Sequence, residues 1–232
     1  MILLVPLMLI FYSWFPLPYF DSDGGLQAMM ILAFVHFLVG PALTFVAFNG
    51  DKPPAKLKFD FAVIAAVQLS ALLAGSYIVY DQRPVAVVLA QNKFYPVSAN
   101  VIRQQGASID DLRAFGARAP ALVYSRPPAG REDFARMMSL ALNNGIDVAE
   151  QVITFEPLAD HLAEAAVNQP DLGQLESDNP DFSEELKAFL AARNARREDF
   201  FYMPFNGRYR KVLLIIDGQG RLAGALRSAY NF

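Results

Sequence analysis

Three stretches of this chain, residues 1–20, 26–48 and 61–80, contain no Asp, Glu, Lys or Arg. A bilayer core about 30 Å thick is crossed by roughly 20 apolar residues in a helix, and the second and third stretches meet that length. The first runs from Met1 to Phe15, interrupted by Pro6, Tyr12 and Ser13, and then reaches Trp14, Tyr19 and a Pro16-x-Pro18 pair. Aromatic and proline residues of this kind mark an interfacial end. The pattern predicts three membrane-spanning helices near 1–20, 26–48 and 61–80. A cleavable signal peptide is the rival reading of the first, but such peptides carry a basic start and a small-residue cleavage site, and neither stands here. The lack of Lys or Arg before Ile2 suggests a longer natural N-terminus.

Past residue 80 the periods shorten. Arg83 to Ala90 is apolar and β-branched, Gln91-Asn92-Lys93 is turn-like, and Phe94 to Val97 resumes an extended pattern, which predicts a hairpin. Lys211 to Ile216, Asp217-Gly-Gln-Gly220 and Arg221 to Leu226 predict a second hairpin, with Ala121 to Tyr124 as a further strand. Helical periodicity lies between. Ser108 caps a short helix through Phe115 stopped by Gly116, and Arg131 to Asn144 is bracketed by Pro127-Pro128 and Gly145. Its inward face is expected to be Phe134, Met137, Met138, Ala141 and Leu142. A third helix starts at Pro157 with Leu158, His161, Leu162 and Ala165 on one side. A fourth has Ser183 as cap, Glu184 and Glu185 in its first turn, a Leu186/Phe189/Leu190 stripe, and Arg193, Arg196 and Arg197 complementing the dipole near its end. Gln169 to Asp181 reads as an exposed loop or an acidic docking segment.

The expected architecture is therefore a membrane α-helical anchor over residues 1–80, with three transmembrane helices. Residues 81–232 form an extracytoplasmic α+β domain with a small antiparallel sheet.

Charge adds a direction. Residues 81–232 hold 17 of the 20 basic and 19 of the 23 acidic side chains, a near balance that lacks the basic field nucleic acid requires. Residues 49–60 carry three lysines and residues 21–25 none, so the former are expected inside and the domain after Asp81 outside, in the periplasm. The chain has no cysteine, which removes disulfides, thiolate metal sites and cysteine nucleophiles.

Within the apolar stretches, Ala62, Ala66, Ser70 and Ala74 recur every four residues, with Ala71 and Gly75 beside them. Small strips of this kind let helices approach closely, either among the chain's own spans or against a partner's. Gly40-Pro41 predicts a kink, with Thr44 able to satisfy freed carbonyls. His36 and Gln68 are the conspicuous polar groups; an interhelical hydrogen bond and an ion or proton path are the two readings.

Chemistry is sparse. His161 is the only histidine outside the expected spans, so a Ser/His/Asp mechanism in the domain would have to use it, against a half-buried structural role. Scattered carboxylates with one histidine form no metal cluster. Asp110-Asp111 and Glu184-Glu185 sit near helix starts, where acids favour the dipole. Asp217-Gly-Gln-Gly220 lacks the helix that a phosphate loop needs. No catalytic constellation and no cofactor are expected.

The motif order does carry a resemblance. Trp14-Phe-Pro16, Gly40-Pro41-Ala-Leu-Thr44, Phe48-Asn49 followed by lysines, Leu57-Lys-Phe-Asp60, Val63 to Gln68, Tyr77 to Tyr80, and Arg83-Pro84 together resemble the TfpX/TfpZ family of type IV pilin accessory proteins. The stretch from Tyr202-x-Pro204 to Asp217-x-x-Gly220 looks like that family's C-terminal hairpin. The chain departs from the pattern at His36, where the family tends to have an acid, at Asn92-Lys93-Phe94 in place of Asp-Arg-Phe, and in lacking a Pro-Trp ending. The resemblance implies a bacterial inner-membrane, multi-pass protein that binds a type IV pilin subunit. Such a protein assists pilin stability, assembly or display, with other pilus assembly proteins as further partners. The alternatives are a membrane-bound enzyme acting on pilin or envelope glycan through His161 or the carboxylates, and a small transporter or sensor subunit lined by His36 and Gln68.

Overall fold

The computed structural model describes residues 4–47, 53–116 and 119–227. Two compact units divide the chain, Met1–Arg83 and Pro84–Phe232.

In the first unit, helix α1 (Leu4–Trp14) is followed by Pro16, Pro18 and a single helical turn, Tyr19–Ser22. At 1.5 Å per residue α1 spans about 16 Å, so among the described residues the stretch expected as one span over 1–20 is one helix for about half a bilayer core before it breaks. The prolines are the reason, since each removes a backbone donor and restricts the residue before it. Helix α2 runs through Gly25–Phe34, a π-helical stretch Val35–Val39, and Gly40–Ala47. Helix α3 is Pro54–Gln82, 29 residues with Pro54 at its first position, where a missing N–H costs nothing. Gly25–Val46 and α3 are the two helices long and apolar enough to cross a membrane. Ile10, Phe15, Phe20, Leu32 and Leu72 form a small shared core, while Phe34, Phe37 and Phe45 on α2 and Val67, Leu73 and Ile78 on α3 are exposed. The Phe48-Asn49 motif and the start of the lysine loop lie outside the described residues.

The second unit is built on seven strands: β1 (Pro84–Ala90), β2 (Lys93–Ser98), β3 (Ala121–Ser125), β4 (Phe155–Pro157), β5 (Phe200–Asn206), β6 (Lys211–Asp217) and β7 (Leu222–Leu226). They lie in the order β4-β3-β1-β2-β5-β6-β7. Both expected hairpins form. In the first, Gln91 and Asn92 turn at φ 49° and 65°, the positive values that a two-residue primed turn demands. The small antiparallel sheet is corrected, because β1 pairs β3 and β2 pairs β5 in parallel, giving one mixed sheet. Parallel neighbours are joined by long crossovers, so no local turn chemistry announces them. β1 and β6 are buried along almost their whole length and read as continuous apolar runs, as central strands should.

Helix α4 (Ala99–Gln104) and the 3₁₀ turn Ile109–Phe115 pack with β1 and β3 around Val88, Val97, Ile102, Leu112 and Val123. Ser108 caps that turn as expected, in a capping box with Asp111. Helix α5 (Arg131–Asn144) has the expected bounds but not the expected face. Met137 is 2% exposed, whereas Phe134, Met138 and Leu142 are 47%, 37% and 77% exposed. Periodicity finds an apolar face but does not say that anything covers it.

Leu158–His161 is a 3₁₀ turn that leads into α6 (Leu162–Ala166), with Leu158, Leu162 and Ala165 buried. The segment expected as a loop holds α7 (Leu172–Asp178), capped by Asp171, whose carboxylate accepts from the Gly173 and Gln174 N–H groups. Leu172 and Leu175 give it an apolar face against Phe182, Leu186, Tyr202, Leu213 and Ile215. Helix α8 (Pro180–Arg193) starts a turn earlier than expected, with Asn179 rather than Ser183 as cap and Asp181 rather than the glutamates in its first turn. Pro180 at the first position favours that start. Arg193 donates to the Ala223 carbonyl at 2.8 Å and lies 4.0 Å over the Phe189 ring, tying α8 to β7. Arg196 and Arg197 fall beyond the helix end, and Arg197 pairs with Glu176 at 2.7 Å.

Candidate functional site

Helices α2 and α3 pack as an antiparallel pair through two glycines. A Cβ on Gly75 would stand 2.7 Å from Leu32 Cδ2, and one on Gly40 would stand 1.9 Å from Gln68 Nε2. A side chain at either position would have to push the end of Leu32 or Gln68 aside, and glycine at position 40 lets the Gln68 amide lie against the α2 backbone. The π-helical stretch Val35–Val39 lies directly before Gly40-Pro41, where the proline leaves a carbonyl without its helical donor. Thr44 Oγ1 donates to the Gly40 carbonyl at 3.0 Å. Beside this crossing lies an open groove lined by His36, Phe37, Gly40, Pro41, Thr44, Phe45 and Gln68. The two polar groups singled out from sequence therefore share one place. Among the described residues neither makes the expected interhelical hydrogen bond.

The small-residue strip divides. Gly75 faces α2, whereas Ala62, Ala66, Ser70 and Ala74 are exposed on the other side of α3. The inward face is instead Gln68, Leu72 and Gly75, because residues two apart on a helix point about 200° apart, which sets Gln68 opposite Ala66 and Leu72 opposite Ser70. Four of the five strip positions thus do not pack the chain's own described helices.

Other motif positions gather at the end of α3. Trp14 meets Tyr80 edge-on at 5.3 Å between ring centroids, and Arg83 lies 3.6 Å over that same ring while donating to the Tyr80 carbonyl at 2.6 Å. An aromatic pair capped by a guanidinium is amphipathic at one end and apolar at the other. Pro16 accepts at its carbonyl from the Tyr19 N–H at 2.8 Å, Asp60 lies within α3, and Pro84 opens β1.

In the second unit His161 is at the centre of a charged cluster. Its Nε2 is 2.5 Å from Glu156 Oε2, its Nδ1 faces Glu164 at 3.6 Å and Arg126 at 3.4 Å, and its ring stacks on Tyr124 at 4.3 Å. The Tyr124 hydroxyl donates to Glu164 at 3.0 Å and Arg126 pairs with Glu164 at 2.9 Å. The bond from the Tyr124 hydroxyl is the largest influence on the Glu164 carboxyl; desolvation opposes it, and the smaller effects of the Arg126 charge and His161 add to it, leaving the carboxyl below its ordinary value. Sequence reading missed Tyr124, Arg126, Glu156 and Glu164 as companions of His161: Glu164, three residues along, was open to helical spacing, whereas Tyr124 and Arg126 reach the histidine only through the β3–β4 pairing of Tyr124 with Glu156. With both ring nitrogens engaged, this histidine fastens β3, β4 and α6. Asp217 is likewise structural, its carboxylate accepting from Gln219 N, Arg221 N and the Arg221 guanidinium in the β6–β7 turn. Among the described residues no group of three or more His, Asp or Glu side chains is placed to hold a metal ion.

The chain is similar to fimbrial assembly proteins. It is 25% identical over 213 residues to the fimbrial assembly proteins of serogroup I and serogroup E1 of Dichelobacter nodosus, covering 90% of this chain and 82% of each relative. To the fimbrial assembly protein of serogroups C1 and C2 of the same organism it is 39% identical over 80 residues, 34% of this chain and 61% of that relative. No protein-family model and no solved structure matches it.

Proposed function

We propose that this chain is a type IV pilin accessory protein of the TfpX/TfpZ kind, anchored in the bacterial inner membrane. Helices α2 and α3 cross the bilayer, with α1 embedded beside them, and its α+β domain lies in the periplasm. It binds a pilin subunit and assists that subunit's stability, assembly or display, and it performs no catalytic step. The observation that carries this reading is the similarity to fimbrial assembly proteins across 90% of the chain. The exposed apolar faces of α2 and α3 support the membrane placement, since hydrocarbon covers such surfaces without cost while water does not. The exposed face Ala62, Ala66, Ser70, Ala74 supports partner binding, because small side chains let a second membrane helix come close.

The test combines gene deletion with a photoreactive residue at position 70. Deletion should remove surface pili, and the probe should capture the pilin subunit in membranes. Unchanged pilin level and piliation on deletion, with no pilin captured, would abandon the proposal.

A further inference from the structure

The groove beside the α2–α3 crossing holds polar groups whose bonding is unfinished. The Gln68 amide is laid against Gly40, with the His36 ring lining the same groove, and among the described residues neither has a hydrogen-bond partner. In hydrocarbon no water completes such bonds, so polar side chains there face a partner or a cavity. We propose that this groove receives a carboxyl-bearing side chain projecting from the membrane helix of a partner protein.

The chemistry selects that group. A primary amide offers a donor and an acceptor on one edge, and the groups that answer both at once are another amide and a carboxylic acid. The imidazole of His36 adds a further nitrogen that bonds an acid in either of its protonation states, which favours the acid. A cationic side chain finds no carboxylate in the lining, which is His36, Phe37, Gly40, Pro41, Thr44, Phe45 and Gln68. Phe37 and Phe45, 70% and 84% exposed, provide apolar walls for the helix that carries the acid. Glycine at position 40 is what lets the Gln68 amide lie against α2 at the groove, because any side chain there would displace it.

This inference rests on reading α2 and α3 as membrane-spanning and deepens the pilin proposal by stating what the partner's helix must carry. The full chain, reconstituted in phosphatidylcholine vesicles with a photoreactive residue at Phe45, is mixed with leucine–alanine transmembrane peptides bearing one central Glu, Lys or Leu. The Glu peptide should be captured about three- to tenfold more than the Leu peptide, the range that single hydrogen bonds in membranes supply. Gln68→Met, which keeps the side chain's shape, should abolish that preference, and His36→Phe should reduce it. Equal capture of Glu and Leu peptides, a preference for Lys, capture of a second copy of the chain instead, or a Glu preference surviving both substitutions would each overturn the inference. Pilin captured from position 70 without any effect of Gln68→Met would leave the pilin proposal standing and remove this one. A Glu preference with no pilin captured in cells would do the reverse.

Discussion

Gly40 and His161 are the residues whose surroundings make the sharpest demands. At Gly40 a Cβ would stand 1.9 Å from the end of the Gln68 side chain, so Gly40→Leu should push that amide out of its place against α2. Overpacking of this kind costs about 1–3 kcal/mol, to be read as a lower midpoint of thermal unfolding in detergent, with Gly106→Leu no guide because that glycine sits in an open turn at φ 74°. His161→Ala removes the partner of Glu156 and the ring stacked on Tyr124. It should lower the stability of the second unit by about 1–3 kcal/mol in urea unfolding while piliation persists. A catalytic histidine would abolish function without that loss of stability.

Glu164 adds a pH dependence. Its carboxyl is held down in the fold, first by the bond from Tyr124. A carboxylate lowered by folding stabilises the protein at pH above its unfolded value, and that contribution disappears as pH falls through the folded value. Wild type should therefore exceed Glu164→Gln in urea midpoint at pH 7, and the difference should shrink as the pH is lowered through and below the ordinary carboxylate range. The effect will be modest, because the side chain is more than half exposed to solvent.

At the scale of elements, α5 separates what periodicity says from what packing decides. Its ends were legible from Pro127-Pro128 and Gly145, and Gly145 indeed closes the helix at φ 67°. Its buried face was not, because Phe134, Met138 and Leu142 satisfy the same periodicity as Met137. Met137→Ser should cost about 2–4 kcal/mol, whereas Leu142→Ser should change stability by less than about 0.5 kcal/mol in the same urea titration. The start of α8 misled for a related reason: Asn179 and Ser183 are both competent caps, and the three residues between them became helix because Phe182 is buried there. The short helix α7 was hidden in a polar segment whose apolar residues are few but all turned to the same core.

For the whole molecule, the two-unit division implies that the Pro84–Phe232 unit carries its own core and should unfold cooperatively when made without the preceding residues. Loss of a single transition in that fragment would mean that the apolar segments complete its core. The proposed orientation makes a second check: a reporter fused after residue 90 should be active only in the periplasm, and cytoplasmic activity would reverse the topology.

Sequence alone determined the uncharged stretches, the two terminal hairpins of the second unit, the main helix punctuation and the resemblance to pilin accessory proteins. These follow from local rules of length, alternation, capping and turn chemistry, which act within a dozen residues. Only the tertiary structure decided that the sheet is mixed, that Gly75 packs inward while Ala62, Ala66, Ser70 and Ala74 stay exposed, and that His36 and Gln68 line one groove. Each of these joins residues distant in the chain, through pairings and close approaches whose energy appears only when the segments meet.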